Sequence, residues 1–387
     1  MKNRINHTVA VISGFFASKA LVSMCLLFAS LSFAQVPPNE TAEALEQEPK
    51  ESQVNDLDSS SQMLENEGEN NAVRNFDPLS AESWMRRLIN NVESSAFEII
   101  YVVTANKRET LPYMWRKGKM PDASQIEQLS LLNGPGFEQI AHQGKVSIFE
   151  PGFAPYSVQG NNVQGPIPQA FIYEGIDFTN AYDVLLMGRN RIAGRMAQQI
   201  RVISKDKTRF NYHLWLDEQT GFLLKLDMYN LEGDLLEQIQ ITQLNISENV
   251  NQIFSQFSVD QLPQVNVKQN AAPRELIWQV SYLPEGMKVI RQDIHRIERT
   301  GQVTEYMLLS DGLVDVSVYV MNANSAFEED VSVASNSHAV VSKTDGRVQV
   351  TVVGEVPVAT ADRIANSIVI TEQAQNNADA IQNGQPQ

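Results

Sequence analysis

The clearest pattern in the chain lies in residues 187–245, where apolar and polar positions alternate in runs that three turn signals separate. Two successive runs each place four apolar side chains on one face: Phe210, Tyr212, Leu214 and Leu216, then Phe222, Leu224, Leu226 and Met228. Because successive side chains of a strand point to opposite faces, this alternation predicts a meander of four antiparallel strands. One face of the meander would be wide, apolar and aromatic, so a helix, a second sheet or a ligand has to cover it.

A helix and several strands are predicted ahead of the meander. Asp77 and Pro78 supply an N-cap and a proline at the first helical position. Apolar residues then recur at helical spacing: Trp84, Met85, Leu88, Ile89 and Val92. This helix is amphipathic and suited to cover one sheet face. Strands follow in residues 96–149, where 125–132 fits either a helix or a strand and the neighbouring hairpin favours a strand.

A second folded unit is predicted towards the C-terminus. Residues 251–274 lose periodicity and gain Gln, Asn and Pro, which predicts a linker between a large domain at 77–250 and a small domain at 275–370. The turn Ser310–Gly312 between alternating apolar runs is a strong hairpin signal. Residues 359–368 are predicted to form a closing helix. The predicted fold class is α+β, mostly antiparallel β.

The N-terminus has the pattern of a secretory signal peptide at 1–34. Cations precede the apolar run Ala20–Ser32, and small residues predict cleavage after Ala34. The run is shorter than the ~20 residues that span a bilayer; an uncleaved membrane anchor is the alternative. Cys25, the single cysteine, lies within this run, which argues against lipid attachment. The mature chain would therefore have no disulfide and no thiolate site.

Negative charge is concentrated near the N-terminus. The formal net charge is −16, and residues 36–75 hold ten acidic and two basic side chains. Residues 35–76 are therefore predicted to be a disordered acidic linker, and the Gln- and Asn-rich residues 371–387 a disordered tail. The acidic balance argues against nucleic-acid binding, which needs a positive face.

No motif in the sequence points to catalysis or metal binding. The four histidines after the predicted signal are scattered singly: His142, His213, His295 and His338. A zinc site therefore has no support, and neither a nucleophile elbow nor a phosphate-binding loop is found. Asp311 and Asp315 are close in sequence, but their turn and polar-face positions predict two solvated residues. The sequence predicts no enzyme, no cofactor and no metal.

Basic residues cluster where the meander starts. Arg189, Arg191 and Arg195 form a candidate contact for the anionic headgroup of a ligand or for an acidic partner. The alternative is a solvated strand face with ordinary hairpin charges.

Five features occur in one order along the chain: the turn at 149–152, the meander, the turn at 282–286, the hairpin at 310–313 and the segment 353–357. Together they resemble the RseB/MucB family of bacterial periplasmic proteins, the negative regulators of the sigma-E envelope stress response. The resemblance covers about Leu79 to Ile370. The acidic linker and the Gln-rich tail have no counterpart in the family pattern.

The resemblance implies both a fold and a function. The large domain would be an unclosed β-barrel similar to the lipoprotein carriers LolA and LolB, with covering helices, and the small domain a sheet with a helix. Family members bind the periplasmic segment of a transmembrane anti-sigma factor and shield it from regulated proteolysis. They release it on sensing lipopolysaccharide or mislocalised lipoprotein. The expected location is the periplasm.

An aromatic sheet face under a helical lid can open a pocket for acyl chains. The candidate lipid-pocket residues are Trp115, Phe149, Phe153, Tyr173, Phe210 and Tyr212. For each of them the alternative is simple core packing. No motif maps the residues that contact the anti-sigma factor, and the sequence leaves a homo-oligomer open.

Three functional hypotheses differ in what they ask of the second domain. A lipid-sensing regulator of sigma-E would use the small domain for its partner. A periplasmic carrier of lipid or lipoprotein, of the LolA/LolB type, would not need it. A hydrolase with a dispersed catalytic site is the third hypothesis, and no residue argues for it.

Overall fold

The computed structural model describes residues 76–106, 108–265, 276–296, 303–323 and 330–370. The described residues from Leu79 onwards belong to one compact unit. The predicted signal peptide, the predicted tail and nearly all of the predicted acidic linker lie outside the described residues, as do residues 266–274 of the predicted inter-domain linker.

The large domain is built on one sheet of eleven antiparallel strands: β1 (Phe97–Ala105), β2 (Leu111–Lys119), β3 (Gln125–Leu131), β4 (Glu138–His142), β5 (Lys145–Phe149), β6 (Tyr156–Gln159), β7 (Tyr182–Ile192), β8 (Arg195–Ser204), β9 (Asn211–Asp217), β10 (Leu223–Tyr229) and β11 (Leu235–Ile246). Their spatial order is β6-β5-β4-β3-β2-β1-β11-β10-β9-β8-β7. The chain fills one half of the sheet with β1–β6 and the other half with β7–β11. Strands β6 and β7 form the two edges, so the sheet is unclosed.

One face of this sheet is apolar and covered, and we call it the covered face. In β1 it takes alternate residues, Phe97, Ile99, Tyr101 and Val103, which are all buried. The four apolar residues predicted for β9, from Phe210 to Leu216, belong to the same core. The period-two pattern predicted for residues 210–216 is therefore confirmed, and β1 has the same alternation.

Helix α1 (Ala81–Ser94) is the first element on the covered face. It buries Trp84, Met85, Leu88 and Val92, which confirms the predicted amphipathic helix. Its N-cap is Ser80 rather than the predicted Asp77. The Asn91 amide donates a hydrogen bond to the carbonyl oxygen of Thr220 at 2.7 Å, which ties the helix to the β9–β10 turn.

The second covering element is the chain between β6 and β7, residues 163–181, which we call the cover segment. It contains a single 3-10 turn, Gln169–Phe171. Eight of its residues are buried in the core of the large domain: Val163, Ile167, Ala170, Phe171, Ile172, Tyr173, Phe178 and Ala181. The segment thus covers the apolar face largely without regular secondary structure. This is why no periodic pattern in the sequence predicts it.

The opposite face of the sheet is covered locally by a short helix, α2 (Val250–Phe254). Its residues Val250 and Phe254 pack with Leu262 against Ile126 and Ile140 of the sheet. Residues 251–262 thus pack on the large domain, although the sequence analysis assigns them to a linker. Three apolar side chains spread over a short helix and a turn give no period that marks them as folded.

The small domain has a sheet of six antiparallel strands: β13 (Lys288–Arg296), β14 (Val303–Ser310), β15 (Asp315–Asn322), β16 (Val331–Ser335), β17 (His338–Thr344) and β18 (Val348–Gly354). Their order is β13-β14-β15-β18-β17-β16. A further pair is formed by β12 (Trp278–Val280) and β19 (Ile368–Ile370). Helix α3 (Val358–Ala365) closes the core, in which Val316, Val318 and Ile364 have no exposed surface.

The predicted fold class is confirmed. The molecule is mostly antiparallel β, with a large unclosed sheet, covering helices and a separate smaller sheet-and-helix domain. The hairpin predicted at Ser310–Gly312 joins β14 to β15.

Candidate functional site

Aromatic rings fill the covered face. Phe97 stands edge-on to Trp115, with ring centroids 4.8 Å apart, and to Phe222 at 5.4 Å. Such contacts add about 0.5–1.5 kcal/mol each to the area they bury. This part of the face is therefore both apolar and geometrically fixed.

Four further aromatic residues form a closed ring of edge contacts. The centroid of Phe171 lies 5.5 Å from those of Phe178 and Tyr212, and Tyr182 lies 6.2 Å from Phe178 and 6.4 Å from Tyr212. Phe171 and Phe178 belong to the cover segment, whereas Tyr182 and Tyr212 belong to the sheet. The ring therefore fastens the cover segment to the sheet.

A buried carboxylate lies beneath the cover segment. Glu127 of β3 is 3% exposed. Its Oε1 accepts hydrogen bonds from Trp115 Nε1 at 2.6 Å and from the Tyr173 hydroxyl, and its Oε2 accepts one from the Val163 amide at 3.3 Å. Since Val163 and Tyr173 both belong to the cover segment, a single carboxylate holds that segment at two points.

Burial raises the pKa of the Glu127 carboxyl above its usual value, while the hydrogen bonds from Tyr173 and Trp115 and the charge of Lys117 oppose the shift. Lys117 is the cross-strand neighbour of Glu127, and its Nζ lies 5.5 Å from the centroid of the Tyr173 ring. A buried carboxylate is costly unless its hydrogen bonds are made. The network is therefore sensitive to any movement of the cover segment.

Further hydrogen bonds hold the start of the cover segment against β4. The Gln139 side chain donates to the carbonyl oxygen of Gln164 at 3.0 Å and accepts from its amide at 2.7 Å. The next residue, Gly165, passes so close to the sheet that a Cβ there would lie 2.9 Å from Cδ2 of Leu129. The segment is thus pressed onto the sheet.

Two clefts open on the described surface of the large domain. One holds about 260 Å³, open solvent included, and lies between the end of α1 and β2. The other holds about 200 Å³ and lies between the cover segment and the sheet, where Pro166, Tyr212 and Glu237 line it. Both are smaller than the roughly 300–1,000 Å³ of sites that enclose small ligands. Neither of these two clefts therefore has the volume of an enclosed ligand site.

The structure brings four of the six candidate lipid-pocket residues into one core. Trp115, Tyr173, Phe210 and Tyr212 are all buried in the core of the covered face. Phe149 points to the opposite face, where it packs beside α2. Phe153 lies in the β5–β6 loop and is 47% exposed.

The three candidate arginines lie on the β7–β8 hairpin, but acidic residues already pair with two of them. Arg195 makes a two-point contact with Asp217, at 2.9 and 2.7 Å. Arg189 lies 2.6 Å from Glu218. The Nε of Arg191 donates to the carbonyl oxygen of Gly194 at 3.3 Å. An anionic ligand would have to compete with Asp217 and Glu218.

The two domains meet at a buried cation. Arg209, in the β8–β9 turn, has no exposed surface, and its Nε lies 3.0 Å from Oδ2 of Asp311 in the β14–β15 turn. The two atoms are close but not aligned as a hydrogen bond. The Arg209 guanidinium also donates to the carbonyl oxygen of Glu285 and lies 5.5 Å from the centroid of the Tyr182 ring. A charge of the large domain is thus enclosed by groups of both domains.

Further hydrogen bonds surround this ion pair, one of them to Asp206, a second carboxylate that lies 3.6 Å from Nη1 of Arg209. The amide of Glu285 donates to Oδ2 of Asp206 at 2.8 Å, and the Thr360 hydroxyl donates to the carbonyl oxygen of Thr208 at 2.7 Å. Leu313 packs against the cores of both domains. The contact therefore combines apolar packing with polar groups that find their partners across it.

The prediction that Asp311 is solvated is wrong. Asp311 is 4% exposed, and its Oδ1 accepts the amides of Leu313 and Val314 at 3.0 and 2.8 Å. The hairpin signal correctly places Asp311 in a turn. Whether a turn is exposed depends on what packs on it, and here the large domain does.

Three residues that the sequence analysis does not single out shape this site: Glu127, Arg209 and Glu237. Only Glu127 leaves a signal in its own strand, because it shares a face with Leu129 and so places a charge on an apolar face. Arg209 and Glu237 each have a charged neighbour in the small domain, Asp311 and Glu355, which is far away in sequence.

A second, more polar contact between the domains contains two carboxylates. Burial, together with the negative charge of Glu355, raises the pKa of Glu237 from 4.5 to about 7, and Arg108 opposes the shift. Arg108 itself donates to the Ser335 hydroxyl at 2.7 Å. His338 Nδ1 lies 3.7 Å from Glu355. A proton on Glu237 therefore relieves repulsion across the contact.

Glu237→Gln is expected to stabilise the protein at about pH 8 and to change little at about pH 5. The folded-state pKa of Glu237 is raised, so folding takes up a proton between pH 4.5 and about 7, and stability falls as pH rises through that window. The shift corresponds to at most about 3–4 kcal/mol. Urea unfolding of both proteins across this pH range measures the effect.

Glu232→Gln is the matched control, because Glu232 lies exposed in the β10–β11 turn. It should leave the pH dependence of unfolding as it is in the unmodified protein. If the stability of the Glu237→Gln protein depended on pH as that of the unmodified protein does, another group would be responsible for that dependence.

Within the described part of the chain, no cluster of three or more His, Cys, Asp or Glu side chains is arranged to hold a metal ion. No helix in that part has both the length and the apolar character needed to cross a membrane.

These features define a two-domain, mostly antiparallel β protein with a covered apolar sheet face and a small domain docked against loops at one end of the strands. Residues 80–269 match the family model of the MucB/RseB N-terminal domain, and residues 272–369 match that of the MucB/RseB C-terminal domain. The two matches together span most of the chain, so the chain belongs to the MucB/RseB family.

Curated relatives are similar over nearly their whole length. The sigma-E factor regulatory protein RseB of Haemophilus influenzae is 26% identical over 298 residues, which are 77% of this chain and 93% of the relative. The sigma factor AlgU regulatory protein MucB of Pseudomonas aeruginosa is 28% identical over 305 residues, with the same two shares.

Solved structures of MucB are similar in both domains. The complex of MucA and MucB from Pseudomonas aeruginosa contains a chain with 28% identity and a TM-score of 0.58, and the similarity covers 75% of this chain and 99% of that one. MucB in complex with MucA(peri) gives a TM-score of 0.57 at the same identity, over 76% of this chain and 99% of that one.

Proposed function

We propose that this chain is a periplasmic negative regulator of sigma-E that binds the periplasmic segment of a transmembrane anti-sigma factor. The observation that carries the proposal is the similarity, in both domains, to MucB in its complexes with MucA. Because 99% of the MucB chain has a counterpart here, both domains of that relative are present in this protein.

We infer further that binding shields the anti-sigma factor from regulated proteolysis and that a lipid, lipopolysaccharide or mislocalised lipoprotein, releases it. The covered face supports a lipid site, because its core is aromatic and its cover segment is irregular. Trp115, Tyr173, Phe210 and Tyr212 are the proposed contacts for acyl chains. The arginine group Arg189, Arg191 and Arg195 is the proposed contact for an anionic headgroup or the partner. The proposal includes no catalytic step.

Release by lipid is a matter of linkage between two binding sites. If lipid prefers an arrangement of the protein that binds the anti-sigma segment less well, each ligand weakens the other by the same factor. A tenfold release requires about 1.4 kcal/mol of differential affinity. The loss of a few hydrogen bonds is enough to supply that difference.

Calorimetric titration of the mature protein with the periplasmic segment of its own anti-sigma factor tests the proposal. We expect tight binding, weakened at least about tenfold when lipopolysaccharide is present. The anti-sigma segment with its sequence scrambled is the control for charge alone. Binding that lipopolysaccharide leaves unchanged would contradict lipid-controlled release, while anti-sigma binding itself would stand.

A periplasmic carrier of lipid or lipoprotein is the second candidate. It is favoured by one observation: every buried residue in the core of the covered face belongs to the large domain. The same titration separates the two functions. A protein that takes up acyl lipid but does not bind the anti-sigma segment would be a carrier.

A further inference from the structure

The cover segment touches the small domain as well as the sheet. Its last residues lie directly under two turns of the small domain. A Cβ at Gly312 would lie 2.7 Å from the carbonyl oxygen of Asp177, and a Cβ at Gly286 would lie 2.9 Å from the amide nitrogen of Ala181. Both glycines have positive φ angles, +93° and +79°. The small domain therefore rests on the backbone of the cover segment.

The same end of the segment belongs to the buried ion-pair contact. The carbonyl oxygen of Ala181 accepts the backbone amide of Lys205 at 3.1 Å and faces Nη2 of Arg209 at 3.5 Å. Ile176 packs against the core of the large domain, and its Cγ2 would lie 3.4 Å from a Cβ at Gly312. A shift of residues 176–181 would disturb the surroundings of the Arg209–Asp311 pair.

Only a short stretch of chain separates two contacts of the cover segment, the one with Glu127 and the one with the small domain. Four residue steps lead from Tyr173, which donates to Glu127, to Asp177, which lies under Gly312. A chain of that length spans at most about 14 Å when fully extended. The ring of Phe171, Phe178, Tyr182 and Tyr212 bridges the interval with side chains from the segment and the sheet. The hydrogen bonds of Glu127 to the cover segment are therefore close to the domain contact, and a movement of the segment at one of them is expected to reach the other.

We propose that the cover segment couples the covered face to the domain contact: an apolar ligand that displaces the segment from the sheet also removes the surface on which the small domain rests. The identity of that ligand rests on the proposed function. The coupling itself concerns only this chain, so it can be tested without ligand or partner.

In this coupling a single element, the cover segment, has two positions, and both the covered face and the domain contact influence which position it takes. With the segment down, Glu127 is fully hydrogen-bonded and the small domain is seated. With the segment displaced, Glu127 loses the Tyr173 and Val163 hydrogen bonds and the small domain loses Asp177 and Ala181. Because coupling is reciprocal, disturbing the domain contact must also loosen the segment.

Hydrogen exchange of the mature full-length protein tests the coupling. Glu127→Ala should speed amide exchange about tenfold or more in residues 163–173 and also in the small-domain turns, residues 285–287 and 312–314. Tyr173→Phe removes one hydroxyl and should give the same pattern more weakly. It replaces Glu127→Ala in the test if that variant does not fold. Glu98→Ala is the matched control, because Glu98 of β1, two strands away from β3, also uses its carboxylate to accept a hydrogen bond, from Arg116 at 2.6 Å. It should affect neither region.

Faster exchange in residues 163–173 with unchanged exchange in both small-domain turns would overturn the coupling. The reverse experiment uses Gly312→Ala, with Gly233→Ala as its control. Gly312→Ala should speed amide exchange in residues 163–173, and unchanged exchange there would equally overturn the coupling.

A third arm adds a short-chain lysophospholipid to the unmodified protein. Faster exchange in both regions supports the coupling, and faster exchange in residues 163–173 alone overturns it. If the lipid changes neither region while the Glu127 and Gly312 variants change both, the coupling is supported and lipid control of the proposed function fails.

Discussion

Arg209→Ala is expected to lower the free energy of unfolding by about 3–5 kcal/mol, among the largest effects of any single substitution in this protein. The reason is the partner that stays behind. Asp311 has no exposed side-chain surface, so truncating Arg209 leaves a buried charge without its cation. The substitution also removes the hydrogen bond to Glu285 and the contact with Tyr182. Urea unfolding followed by tryptophan fluorescence measures the loss.

Two comparisons separate the buried pair from a general effect of removing an arginine. Arg191→Ala removes an exposed arginine of β7 and should change stability by less than about 0.5 kcal/mol. Arg209→Met combined with Asp311→Asn removes both charges and keeps Oδ1 of residue 311 as an acceptor. The double variant should be more stable than the sum of the single variants predicts. Strict additivity would mean that the two charges do not interact.

Much of the fold follows from patterns within single strands and turns. Phe210, Tyr212, Leu214 and Leu216 alternate in sequence and all enter one core, because a strand inside a wide sheet keeps its two faces over its whole length. The turn Ser310–Gly312 forms as predicted, since its geometry is specified by the turn residues themselves. Local chemistry is sufficient for features of this kind.

The pattern fails where the strand itself is irregular. The sequence analysis places Leu224 on the same face as Leu226 and Met228. The register of β10 shifts between Leu223 and Lys225, so Leu223 enters the core of the covered face and Leu224 packs on the opposite face beside Trp215. A bulge of this kind reverses the faces without leaving a signal in the apolar pattern.

The candidate site could be predicted only in part, for a related reason. The aromatic face is visible in the sequence, and four of the six proposed pocket residues lie in its core. The domain contact is not visible, because Arg209 and Asp311 acquire their roles from each other across two domains. Phe149 packs on the opposite face of the sheet, and its place in the sequence alone does not show which of the two faces it enters.

Gly312→Ala is expected to destabilise the seated arrangement of the domains by about 3–5 kcal/mol, combining overpacking with backbone strain. The atom in the way belongs to the backbone: the carbonyl oxygen of Asp177 lies 2.7 Å from the position of the new Cβ. A flexible side chain could rotate away, whereas this carbonyl can move only with the cover segment. We therefore expect a lower unfolding midpoint in urea and faster proteolysis within residues 163–181.

Gly233→Ala isolates the clash from the strain. Gly233 has a φ of +92°, against +93° for Gly312, but no atom lies within 4 Å of its Cβ position. Both variants carry the cost of a side chain at positive φ, about 1–3 kcal/mol, and only Gly312→Ala carries the overlap with Asp177. Equal losses of stability in the two variants would mean that the small domain can move away from the cover segment with little loss of free energy. In that case the buried pair Arg209–Asp311, rather than close packing on the cover segment, would be what seats the small domain.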